Sequence, residues 1–474
     1  MSEAPISAPS NSRLDLVREP LLQLGLFAGA YLITAGAIYL FYLIGSLPGV
    51  NLPWFGLVGL ILVTAAALGG VAWLTMRGDA RAGTLGPIAV LLLVVALFAV
   101  ADVARSEGGY SFWKVQTVRT LAAQTSMIAV AALGMTILII AGGIDLSAGT
   151  NISLAATVLA WTLLRLHGYC QEEGWLAGDA DPASKGWVVV GIVGAALCAC
   201  VATGALAGLL NGFLVSQLQV VPFIVTLGTM SIFQGLNKFI TGGNVLRPPT
   251  EVIPKALQAI SSQSSDLGWL AYPLLPNVAW GVWMLLGLAL LVGLLLEYSV
   301  LGRHLFAIGS NEATARLCGI NTIFTKTLAY GLAGLFCGLA AIYLFGSTIE
   351  GSPAVGPGIE LKVIAAVVIG GGSLSGGRGS VIGTLCGAAL LPVIELGCTM
   401  QELNNQIQDV VIGAIIVGAV ALDQVREGKI RLLQSVDRAR ELLHPLGALA
   451  FPLRWPLDSL ADWLRRDGEA ADEK

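Results

Sequence analysis

Few residues in this 474-residue chain could carry chemistry, and their spacing points to recognition rather than bond breaking. The 3 histidines, His167, His304 and His444, form no HExxH pair. No GxSxG stands in a strand-turn-helix setting and no GxxxxGK[ST] occurs, so the chain reads as no enzyme and binds no nucleotide or other cofactor of its own. The 7 cysteines, Cys170, Cys198, Cys200, Cys318, Cys337, Cys386 and Cys398, lack zinc spacing and read as small apolar residues, so no metal site is expected. What remains is a set of polar side chains inside apolar runs. Asp145, in AGGIDLSAGTN, is a carboxylate at membrane depth, which costs about 2.5–3.5 kcal/mol on insertion scales. Gly142 and Gly143 precede it and Ser147, Thr150 and Asn151 follow, the pattern of a helix interruption whose freed backbone groups line a cavity. Two readings stay open for Asp145: an element of a solute path or gate, or a cap on the helix that starts at Ser147. Asn211, Gln234 and Asn237 are neutral hydrogen-bonding groups in or near apolar spans. They suit a path for an uncharged polyhydroxy solute and suit bonds between helices equally well.

The elements that must position these residues are membrane helices. The chain is 55% hydrophobic and only 12% charged, with a mean hydropathy of +0.79, so the fold class is an all-α polytopic membrane protein. A net charge of -4 excludes a nucleic-acid partner, which would need a basic stripe. The polar segment 1–18 lacks the features of a signal peptide and reads as a cytoplasmic tail. With a helical hairpin over 21–47 and 52–75 it forms an N-terminal region, 1–83. A core at 84–424 follows, with spans at 84–103, 121–140, 147–166, 187–218, 221–241, 278–296, 327–347, 381–397 and 407–422, and a shorter apolar stretch at 359–370 that is either a half-helix or a crossing. About 10–12 crossings result. Gly204, Gly208 and Gly212 clear one helix face for close backbone approach. The tail, 425–474, mixes Arg and Lys with Leu and Val as an amphipathic cytoplasmic helix does. Most Lys and Arg then fall on one side, and the acidic loop with Glu172, Glu173, Asp179 and Asp181 on the other.

The interval 298–326 is a polar stretch between two long apolar runs, and Arg303, His304, Arg316 and Lys326 keep it out of hydrocarbon. Ser310 or Asn311 can cap a short helix from Glu312 to Cys318, with Glu312 at the positive end of its dipole and Gly319 as a left-handed stop. Ala313, Leu317 and Ile320 share one face with nothing in the loop to cover it. This is a docking element or a plain connecting loop.

The string GRHLFAIGSNEATARLCGIN resembles the coupling loop of the membrane subunits of ATP-driven sugar importers, the ribose, xylose and galactose permease family. Three further stretches resemble the same family in the same order: GMTILIIAGGIDLSAGTNISLAA, VPFIVTLGTMSIFQGLNKFITGG, and the glycine-rich run from Gly351 to Gly387. The resemblance implies that Asn311, Glu312, Ala313, Arg316, Leu317 and Gly319 form a coupling helix docked on a separate ATPase subunit that binds the ATP. It implies a translocation path, for which Asp145, Asn151, Asn211, Gln234, Asn237 and Glu360 are the candidates. It also implies an extracytoplasmic sugar-binding protein, a homodimer, surrounding lipid, and multi-pass residence in a bacterial cytoplasmic (inner) membrane. The expected activity is import of a ribose- or xylose-like monosaccharide by alternating access. The alternatives are a branched-chain amino-acid permease subunit and a secondary transporter. One departure is visible: the family usually has an acidic residue two positions after Glu360, where Lys362 stands here, a reversal that could alter a gate or a binding-protein contact.

Overall fold

The computed structural model describes residues 115–175, 182–249 and 279–401, with isolated positions in 87–98, 257–260 and 404–417. The segments read as an N-terminal hairpin and as a C-terminal amphipathic tail lie outside the described residues. The described helices all belong to one compact unit. In chain order they are α1 (Val115–Ile140), α2 (Ala148–Glu172), α3 (Pro182–Gln217), α4 (Pro222–Thr241), α5 (Trp280–Tyr298), α6 (Val300–Ser310), α7 (Glu312–Leu317), α8 (Thr322–Thr348), α9 (Ile359–Ile369) and α10 (Val381–Met400). Six of them, α1, α3, α4, α5, α8 and α10, are long and apolar enough to cross a membrane. Among the described residues no strand occurs, and one isolated bridge pairs Leu246 with Gly351. The fold is therefore all-α and polytopic.

Local chemistry sets the helix ends. Pro222 opens α4 at a position where its missing amide costs nothing, and Gly242 closes it at φ 62°. Asn321 caps α8 by accepting from the Phe324 amide, and Ser380 caps α10 by accepting from Gly383. α1 ends in a left-handed turn: Gly142 has φ +77°, and the Gly143 amide reaches back to Leu138 O at 3.0 Å.

α1 and α8 form the centre, with most of their residues buried. α3 lies on α8 through the glycine register seen in the sequence. A Cβ added at Gly204, Gly208 or Gly212 would stand under 3.0 Å from backbone atoms of Gly334 and Gly338, of Tyr330 and Gly334, and of Thr327 respectively. α10 meets α9 in the same way, through Gly383 on Gly370 and Gly387 on Ala366.

The apolar stretch at 359–370 is the 11-residue α9, too short at ~16 Å to cross alone. The chain before it completes the passage. From Gly351, packed on Thr157, through Gly356, packed on Ser153 and Gly149, the segment 350–358 runs back along α2 without helical structure. The two parts follow one another, half irregular chain and half helix. Such backbone is tolerated at membrane depth only where protein or a water-lined cavity surrounds it.

The glycine contacts of α3 yield a test. Gly208→Ala should lower the folded yield and the melting temperature of the detergent-solubilised protein, because its methyl meets backbone that cannot turn aside; overpacking of this sort costs about 1–3 kcal/mol. Gly228→Ala in α4, where a Cβ meets nothing within 4 Å, should be neutral or stabilising. Equal melting of the two variants would refute the packing account.

Candidate translocation path and docking helix

α7 is built as the sequence suggests. Asn311 Oδ1 accepts from the Thr314 amide at 3.0 Å, Gly319 has φ +83°, and the Ile320 amide returns to Ala315 O at 3.1 Å. Glu312 pairs with Arg316 one turn on, at 3.0 Å, and with Lys326 of α8. Partial burial works to raise the Glu312 carboxyl, but the Lys326 hydrogen bond and charge, with those of Arg316, outweigh it and hold it below its ordinary value. Ala315 is buried, whereas Ala313 is exposed and Leu317 is 89% exposed. The expected face of Ala313, Leu317 and Ile320 is thereby divided: Ile320 is half-covered, and Ala313 with Leu317 forms the free apolar part.

The residues before α7 are also helical. α6 occupies 300–310 of the interval that reads as a polar loop, with Ser299 capping it and Gly302, Leu305 and Ile308 buried. Their three-residue spacing was the available signal, masked by Arg303 and His304 between them. α6 ends against the membrane helices. A Cβ on Gly309 would overlap Ile140 O and the Gly377 amide, and that amide donates to Ile140 O at 2.9 Å. Gly376, at φ +91°, lies against Gly309 and Gly142. The end of α1, the end of α6 and the loop between α9 and α10 therefore meet backbone to backbone, immediately before the break that holds Asp145.

At that break Asp145 is 1% exposed. Its Oδ1 accepts from the Ser147 amide at 2.8 Å, from the Ser147 hydroxyl at 2.6 Å and from the Asn211 side-chain amide of α3 at 3.3 Å. Asn211 also donates to Ser147 Oγ at 2.8 Å, and Tyr330 of α8 donates to Ile144 O at 3.2 Å. One carboxylate oxygen thus fastens the residue before α2 to α3 without capping any amide of the helix itself, while Oδ2 has no partner among the described residues.

The other candidates continue along α2. Asn151 donates to Gly204 O at 3.2 Å. Asn237 of α4 donates to Ser153 Oγ at 2.6 Å, and Ser153 donates to Ser352 O at 2.8 Å. Gln234 donates to Pro353 O at 2.7 Å. Glu360 accepts from the Gly358 amide at 2.9 Å through Oε1 and lies against Gly149. All six candidates are thus gathered around α2, α3, α4 and the entry to α9. Each spends one polar atom on a neighbour, and among the described residues each keeps one buried oxygen without a partner, as do the hydroxyls of Thr157 and Ser216. An unsatisfied buried acceptor costs about 1–3 kcal/mol, and an incoming hydroxyl would relieve it.

Residues 117–420 match the family model described as branched-chain amino acid transport system / permease component. The ribose import permease protein RbsC of Escherichia coli (strain K12) is 31% identical over 318 residues, 67% of this chain and 88% of that protein. The galactose/methyl galactoside import permease protein MglC of the same strain is 33% identical over 353 residues, 72% of this chain and 94% of that protein. The fructose import permease protein FrcC of Rhizobium meliloti is 30% identical over 338 residues, 71% of this chain and 84% of that protein. The chain belongs to the permease family of ABC sugar importers. No solved structure matches it.

For a permease of this family, two things escaped the sequence. Ser153 and the carbonyls of Ser352 and Pro353 connect α2, α4 and the re-entering segment, but a serine in an apolar run and two backbone oxygens carry no local signal. Lys362, the departure from the family pattern, has a partner: Glu395 Oε1 of α10 stands 2.6 Å from its Nζ.

Asp145→Ala leaves the Ser147 and Asn211 donors without their acceptor, whereas Asn151→Ala deletes a single bond to Gly204. Asp145→Ala should therefore reduce the folded membrane yield more, by about 1–3 kcal/mol in stability against roughly 1 kcal/mol. Full yield with Asp145→Ala and lost uptake would show that the carboxylate serves the path and not the fastening.

Proposed function

We propose that this chain is the membrane subunit of an ATP-driven importer that carries a ribose- or xylose-like monosaccharide by alternating access. The observation that carries the reading is the joint at Gly309, Ile140 and Gly377. Through it an exposed docking helix touches the broken helix whose flank holds the buried, unpartnered oxygens. A cytoplasmic ATPase seats on Ala313 and Leu317 and moves α6, and the joint passes the movement to the Asp145 break. The sugar supplies hydroxyl donors to Asn151, Asn237, Gln234 and Glu360 as α2, α4 and the 350–358 segment shift apart. An extracytoplasmic sugar-binding protein delivers the sugar, and two copies of this chain in a bacterial inner membrane enclose the path.

A second reading, import of a branched-chain amino acid, draws on the description of the family model. A zwitterion needs a cation and an anion to recognise it. Among the described residues the six candidates and their hydrogen-bond partners include the carboxylates Asp145 and Glu360 but no cation, which favours a hydroxyl-rich solute over a zwitterion.

The test uses the permease co-expressed with its ATPase and binding protein. Leu317→Asp should bury an unpaired carboxylate in the docking groove, at a cost of several kcal/mol, so that the permease inserts but retains no ATPase in a pull-down. Gly309→Ala should lower the folded yield, as at Gly208, and in the fraction that inserts should keep the ATPase yet lose most of the sugar-stimulated ATP hydrolysis, since coupling through such contacts is worth about 0.5–2 kcal/mol. Undiminished ATPase binding and hydrolysis with Leu317→Asp would reject the docking site. Radiolabelled ribose, xylose and leucine, offered singly to cells carrying the whole system, separate the two readings: uptake of leucine alone would establish the second.

A further inference from the structure

The Lys362–Glu395 pair joins α9 to α10 and is not enclosed: the two side chains are 35% and 30% exposed. Its depth follows from helix packing. Gly383 of α10 lies against Gly370 at the inner end of α9, and Glu395 stands ~18 Å further along α10 at 1.5 Å per residue. With ~30 Å of hydrocarbon to cross, the pair lies within the apolar layer, where charged side chains face protein or water and not lipid. A second observation marks the same edge. The irregular segment leading into α9 exposes Ala354 and Pro357, and Leu361, beside Lys362, is 51% exposed. Unwound backbone at this depth is equally barred from facing lipid.

We propose that this edge, Ala354, Pro357, Leu361 and the Lys362–Glu395 pair, is covered by a second copy of this chain. The edge carries a cation and an anion side by side, so a twofold axis that lays it on itself brings each Lys362 near the other copy's anion and satisfies both signs without a further partner. The inference takes the two-copy state from the function proposed above and adds where the copies touch. It also accounts for the reversal at Lys362: a cation at 362 is matched by Glu395 within the chain and again across the axis.

The experiment places a photo-crosslinking amino acid at Leu361 in the full-length protein in its own membrane, with a second variant at Phe239 of α4, which is 86% exposed. Illumination should give an adduct of twice the chain mass from position 361 and none from 239. Lys362→Glu should remove the 361 adduct, and the exchange Lys362→Glu with Glu395→Lys should restore it. An adduct from 239 and not from 361 would overturn the proposed edge while leaving a two-copy permease standing. Absence of adduct from both positions, with a monomer on native mass spectrometry, would overturn the edge together with the two-copy state. A 361 adduct unchanged by Lys362→Glu would remove the ion pair from the contact.

Discussion

Apolar surroundings give a polar group no solvent to fall back on, and most of this architecture answers that single condition. Helices satisfy their own backbone; wherever the chain departs from helix, side chains and neighbouring carbonyls must stand in. The turn at Gly142 is closed by its own amides, Asp145 gathers the donors at the start of α2, and the carbonyls of Ser352 and Pro353 are taken up by Ser153 and Gln234. The oxygens left over are concentrated around α2, the helix touched by both the α3 contact and the re-entering segment. Each of them carries a desolvation cost that a donor brought close to it would offset.

Close approach of backbones is the second recurring device, and it separates rigid from movable parts. Along α3 and α8 several glycines in register bind two helices over a long contact, with no side chain between them to slide. The joint among Gly142, Gly309 and Gly376 is a point contact of three segments, two of which are turns. A long seam resists displacement, whereas a point contact transmits a push and allows rotation about itself. In the function proposed above, a force applied at α7 would reach the Asp145 break through this contact.

Much of this could be read from the residues. Long apolar runs announced the spans, the four-residue glycine repeat announced the α3–α8 contact, and Asn311, Glu312 and Gly319 announced α7 because capping chemistry is local. Asp145 stood out because a carboxylate among glycines and aliphatic residues has few explanations. What could not be read depends on contacts between distant segments. The helix at 300–310 hid behind Arg303 and His304, whose polar side chains suggest a loop although Gly302, Leu305 and Ile308 are buried. The course of 350–358 along α2 is set by Gly149, Ser153 and Thr157, some two hundred residues earlier in the chain, and Glu395 as partner of Lys362 is likewise fixed only by packing.

α3 has 36 residues, which at 1.5 Å each is ~54 Å of rod, against ~30 Å of hydrocarbon. Tilting by the largest common angle, about 40°, shortens its vertical reach only to roughly 41 Å. Its Gly204–Gly212 portion is pinned to α8, so the excess length is carried at the opposite end, toward Pro182 and Trp187. That end must stand about 10 Å clear of the apolar layer as a stiff post. Anything settling on that face of the membrane meets the post first, and a load on its tip bears on a helix whose other end holds Asn211 against Asp145.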